Sequence, residues 1–123
     1  MELITLEYID VFDKNEKKSL EFSASLLKKP YSKSSLFVMR VDGKSMEPLI
    51  QDASLVVVDL SQKELVNDAI YIVNIHNKSW IKRAKIAQSE EFFISINQDF
   101  AHLVYRAEDV RLIGRALLAF SAL

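Results

Sequence analysis

Every apolar run in this chain is short and ends at a turn signal. Leu36-Phe37-Val38-Met39, Leu55-Val56-Val57-Val58, Ile70-Tyr71-Ile72-Val73-Asn74-Ile75 and Phe92-Phe93-Ile94-Ser95-Ile96 are rich in β-branched and aromatic residues. Polar clusters such as Gln51-Asp52-Ala53-Ser54, His76-Asn77-Lys78 and Asn97-Gln98-Asp99 separate them. That pattern specifies strands joined by turns. A longer strand is expected over Val110–Phe120, with Gly114 at a bend or bulge. Seven or more short strands and little helix make the fold class mainly β. A chain of 123 residues holds one core and is too short for two.

Composition removes several function classes. There is no cysteine, so disulfides, thiolate zinc sites and a cysteine nucleophile are excluded. The formal net charge of -1 gives no electrostatic case for wholesale nucleic-acid binding. Lys78, Lys82, Arg83 and Lys85 with Trp80 suggest a single-strand-binding patch, but alternation along a strand splits them onto two faces. His76 and His102 have no third ligand in a readable pattern, so no metal and no cofactor is expected. No run approaches the roughly 18 apolar residues of a membrane span. No basic patch precedes an apolar segment at Met1-Glu2-Leu3, so no export signal is read and a cytoplasmic address is expected.

Residues 1–35 read as an N-terminal arm or edge segment. Ile4, Leu6 and Tyr8 alternate as in an edge strand. Asp13 to Ser19 is uniformly polar and reads as a solvated loop. Leu20-Glu21-Phe22 reads as a short strand, Ser23 as the cap of a single helical turn, and Lys29-Pro30 as its end. Residues 36–123 form the main body.

Two places in that body carry chemistry. The first is Gly43-Lys44-Ser45-Met46-Glu47-Pro48, set between two apolar runs. Gly43 allows a sharp turn, and Pro48 fixes φ and suits the first turn of a short helix. A serine so held has one presentation, which serves a nucleophile or a helix cap. Met46, Leu49 and Ile50 have helix-like spacing, and Met46 reads as core packing. The second place is the strand Ser79–Ile86, where Trp80, Lys82, Ala84 and Ile86 share a face. A lysine among apolar neighbours either snorkels its ammonium to water or loses proton affinity and can act as a base. Ser45 and Lys82 lie 37 positions apart, on elements that a sheet can bring together.

Gly43-Lys44-Ser45-Met46-Glu47-Pro48, the turn at Asp52, Leu55-Val56-Val57-Val58-Asp59 and Ile81-Lys82-Arg83 resemble the peptidase domain of LexA and the phage-type repressors, with UmuD as a stand-alone relative. Asn97 and Val110-Arg111-Leu112-Ile113-Gly114-Arg115 are further matches, and the resemblance covers roughly residues 36–120. It implies a compact, strongly bent, signal-peptidase-like β structure with one or two short helical turns. It also implies Ser45 as nucleophile, Lys82 as general base, and backbone N–H groups of Lys44 and Ser45 as the oxyanion hole. Gly43, Met46, Pro48 and Arg83 look like supporting members of the motif. The expected partners are a second copy, in a homodimer through the C-terminal part, and a RecA filament that promotes self-cleavage. DNA is expected only through a separate helix-turn-helix domain absent from this chain, and no membrane is expected.

The chain departs from the family in two places. Ala53-Ser54 stands where Gly-Asp is usual, which bears on the local turn. No Ala-Gly or Cys-Gly pair precedes Ser45, the usual site of self-cleavage. Two functions are therefore carried forward. One is a Ser–Lys peptidase regulating transcription or the DNA-damage response by cutting itself or a partner chain. The other is a non-cleaving dimerisation module of a repressor, with Ala116-Leu117-Leu118-Ala119-Phe120 as its interface.

Overall fold

Hairpins organise the chain because its turns concentrate residues that accept left-handed backbone. A computed structural model describes residues 2–123. Its strands are β1 (Leu3–Asp10), β2 (Glu16–Ser23), β3 (Leu36–Arg40), β4 (Leu55–Asp59), β5 (Ile70–Ile75), β6 (Lys78–Ala87), β7 (Glu90–Ile94), β8 (Tyr105–Arg106) and β9 (Arg111–Phe120). Lys14-Asn15, His76-Asn77 and Gln88-Ser89 supply paired positive φ angles at the β1–β2, β5–β6 and β6–β7 turns. Two successive left-handed residues match the twist of antiparallel strands. Helix is limited to four short 3-10 turns among the described residues, against the one or two expected. Among the described residues no helix is long and apolar enough to cross a membrane.

The strands form two antiparallel sheets. β1 and β2 pair alone, and the larger sheet runs β3-β4-β9-β5-β6-β7-β8. β4 sits between β3 and β9, and its Val56, Val57 and Val58 are fully buried. The continuous apolar run therefore reflects burial on both faces. Complete burial of such a side chain contributes about 1.5–3 kcal/mol. β9 takes its register shifts opposite Val57/Val58 and Ile72/Val73. These shifts bend the sheet, and Gly114 lies beside one of them, as the sequence suggested.

Two local expectations change. The turn after β1 is confined to residues 11–15, and Glu16–Ser19 form the first half of β2 instead of a loop. Only one face of this hairpin is covered, by Ile4 and Phe22 packing against Leu36 and Val38. The solvated face tolerates the lysines and glutamates that obscured the strand. Ser23 does cap the 3-10 turn that follows, its hydroxyl accepting from the Ser25 N–H at 3.2 Å. The second change is at Pro48, where consecutive turns replace the short helix. Glu47 N–H donates to Lys44 O at 3.1 Å and Ile50 N–H to Met46 O at 2.9 Å, which closes the turns without a continuous ladder. Met46 and Ile50 are buried as expected, while Leu49 faces solvent.

Asp10 joins the two sheets. Its carboxylate accepts from Lys18 Nζ at 2.8 Å on β2 and from Arg40 Nη2 at 2.8 Å on β3. The hydrogen bond from Lys18, with those from Arg40 and the Phe12 N–H, holds Asp10 down to about 2 against its burial.

Candidate functional site

The Ser45 turn is built by its own backbone. Gly43 adopts φ +130°, a conformation that side chains rarely permit. Its N–H donates to Asp52 Oδ1 at 2.8 Å, and the Asp52 N–H donates to Glu47 Oε2 at 3.2 Å. Val41 and Ala53 close the loop, with Ala53 N–H to Val41 O at 2.9 Å and Val41 N–H to Ser54 O at 2.8 Å. Ala53 holds φ +70°, so the turn that usually takes glycine forms here on alanine. The local geometry survives the Gly-Asp departure, with strain stored at one residue.

Ser45 is half-buried, and its hydroxyl makes no hydrogen bond among the described residues. It borders a narrow cleft of about 30 Å³, whose other wall is Ser79, Trp80 and Ile81 of β6. Met46 points away, into a core cluster with Val41, Ile50, Val56, Val58, Ile72 and Ile81. The backbone N–H groups of Lys44 and Ser45 have no acceptor among the described residues. Their carbonyls are occupied: Lys44 O accepts from Asn97 Nδ2 at 2.8 Å, and Ser45 O from the Asn97 N–H at 2.9 Å.

Lys82 follows directly after the cleft wall on β6. It is fully buried, at 0% exposure, on a face with Tyr71, Trp80, Ala84, Phe93 and Tyr105. Of the two fates open to a lysine on an apolar face, desolvation is the one found. Burial pushes its proton affinity below that of an ordinary lysine. The ammonium lies 5.3 Å from the Trp80 ring centre and 5.7 Å from that of Tyr105. Its hydrogen bond is to Ser95 Oγ at 2.7 Å, and none joins it to Ser45. Arg83 points to the opposite face, half-buried, and its Nε has no partner among the described residues. Pro48 lies exposed at the far end of the turn.

Sequence reasoning missed Ser95, and it treated Asn97 only as a match. The signal for Ser95 was the β6–β7 turn. Once Gln88-Ser89 is placed there, antiparallel pairing of Arg83 with Ile94 brings position 95 opposite Lys82. Among the described residues no group of three or more His, Cys, Asp or Glu converges in a manner that could hold a metal.

Comparison with known proteins adds to this geometry. An uncharacterized HTH-type transcriptional regulator of Haemophilus influenzae is 37% identical over 84 residues. The aligned stretch is 65% of this chain and 35% of that protein, so the chain spans about a third of its relative's length. The Peptidase S24-like family model matches residues 5–117, which takes in most of the β1–β2 hairpin, the Ser45 turn, Lys82 and the larger part of β9. The chain therefore belongs to the Peptidase S24-like family, that of LexA, UmuD and the phage repressors.

Proposed function

We propose that the chain is a Ser–Lys peptidase domain of a transcriptional regulator, cutting a peptide bond in its own chain or in a partner chain. The observation that carries this reading is the complete burial of Lys82, one residue beyond the wall of the Ser45 cleft. An amine so desolvated is neutral in a larger fraction of molecules than an exposed one. The neutral amine takes the proton from Ser45 Oγ as that oxygen attacks the carbonyl carbon. The Lys44 and Ser45 N–H groups receive the developing oxyanion. The resulting ammonium gives its proton to the leaving nitrogen, and a water deprotonated by the amine then releases the acyl group. Catalytic hydrogen bonds in resting sites commonly tighten only when substrate is bound.

Mass spectrometry after alkaline incubation, with and without a RecA filament on single-stranded DNA, tests the proposal. Cleavage by the wild type that is lost in Ser45→Ala and in Lys82→Ala supports it. Cleavage that survives both substitutions removes it.

A second reading is a non-cleaving dimerisation module. An open apolar groove lined by Leu49, Ile50, Ile70 and Ala116 to Ala119 favours it. Sedimentation equilibrium decides: a strict monomer at high concentration excludes this reading.

A further inference from the structure

Lys82 carries three N–H donors into a fully buried site, and among the described residues the only oxygen that meets them is Ser95 Oγ. Its other polar neighbours are aromatic: Trp80 on its own strand, Tyr105 on β8, and Tyr71 across the β5 ladder. No charged group acts on it from any of these elements. Ser95 is itself buried, at 7% exposure. It lies just past β7, where the pairing of Arg83 with Ile94 extends to place it across from Lys82. Its position against the amine is therefore set by sheet register.

Two residues later, Asn97 grips the other half of the site. Its N–H and its side-chain Nδ2 hold the carbonyls of Ser45 and Lys44. In a trans peptide the C=O and the next N–H point in opposite directions. Holding Lys44 O therefore turns the Ser45 N–H away from Asn97. Asn97 is itself fixed, because its Oδ1 accepts from the Asp99 N–H at 3.0 Å. One three-residue segment thus touches both the amine and the serine turn.

We infer that Ser95 and Asn97 are positioning residues, Ser95 holding the Lys82 amine and Asn97 holding the Ser45 turn, so that segment 95–97 sets the separation of base and nucleophile. This rests on the Ser–Lys reading above. It adds residues outside the dyad and explains why the amine faces Ser95 in the resting site. A serine hydroxyl accepts from the ammonium and can donate to the neutral amine. Ser95 therefore retains Lys82 in both protonation states and yields it to Ser45 when substrate arrives.

Nuclear magnetic resonance of lysine side chains in the full chain tests the inference, with the Lys82 signal assigned by its loss in Lys82→Met. Hydrogen bonds to a charged donor are the stronger kind. Ser95→Ala is therefore expected to move the Lys82 titration midpoint to lower pH and to shift its Nζ resonance, with Ser95→Thr restoring both. Ser95→Cys, near in size and a poor acceptor, should follow Ser95→Ala and covers the case in which the alanine variant misfolds. In the cleavage assay Ser95→Ala and Asn97→Ala should each lower kcat on the order of 10- to 100-fold with KM little changed. Ser95→Thr should recover most of the rate. An unchanged Lys82 resonance and midpoint in Ser95→Ala and Ser95→Cys overturns the inference, whatever the cleavage result. Failure of the peptidase reading has a different signature: Ser45→Ala cleaves as wild type, or nothing cleaves, while the Lys82 resonance still answers for Ser95.

Discussion

Gly114 on β9 passes so close to Asp59 on β4 that a Cβ at position 114 would lie 2.6 Å from the Asp59 carbonyl oxygen. The obstacle is backbone, so it cannot rotate away. Asp59 is also fixed through its carboxylate, which accepts from the Ser32 N–H, from Ser61 N–H and Oγ, and from Gln62 Nε2. Burial works to raise the Asp59 carboxyl, and these hydrogen bonds together outweigh it and hold it low. Gly114→Ala should destabilise the fold by roughly 1–3 kcal/mol, as overpacking does. Urea unfolding followed by fluorescence of Trp80 measures it.

Strong acid should weaken the attachment of the hairpin. Asp10 sits at about 2 when folded, against 3.8 for a free carboxyl. A carboxyl lowered on folding contributes stability that is complete above its unfolded value and disappears as pH falls through its folded value. Asp10→Asn should therefore melt below the wild type at pH 6, and the two melting curves should converge as pH falls toward about 2. Thermal unfolding across that range shows whether they do.

Lys82 predicts the reverse dependence. A lysine lowered on folding imposes a cost that is largest below its folded value and is relieved as pH rises toward the unfolded value near 10.4. Lys82→Met keeps a similar shape without the charge. It should stabilise the fold by roughly 1–3 kcal/mol at neutral pH, an advantage that shrinks in alkali. Melting temperatures at pH 7 and pH 10 measure both effects. A Lys82→Met protein less stable than wild type at both would contradict them.

Ala53 offers a gain with no change of contact. Its φ of +70° is costly for any residue with a Cβ. Ala53→Gly should raise stability by about 0.5–1 kcal/mol, after the larger chain entropy of unfolded glycine is offset. Chemical unfolding of the two proteins provides the comparison.

Patterns of two residues were readable in the sequence, and patterns of tertiary pairing were not. The runs at Leu55–Val58 and Ile70–Ile75 emerged as buried strands because each apolar stretch ended in a recognisable turn. Lys82 was placed on an apolar face by alternation alone, and the structure buries it completely. β2 was obscured because a hairpin with one wet face carries Glu16-Lys17-Lys18-Ser19, which no hydrophobic count can tell from a loop. The spacing of Met46, Leu49 and Ile50 suggests a helix at Pro48, whereas the turns bury Met46 and Ile50 and leave Leu49 exposed. Ser95 escaped notice for another reason. Its role depends on which strand lies beside β6 and in what register, and a lone serine carries no mark of either.

The β1–β2 hairpin shares no backbone hydrogen bond with the seven-stranded sheet among the described residues; side-chain packing and the Asp10 cluster fasten it there. Lifting it as a flap would part a side-chain clasp alone and leave every rung of the larger ladder closed. Amide protons of β4 and β9 would then exchange only through global opening, while the strip beneath the flap, Leu36 and Val38, would be wetted far more often.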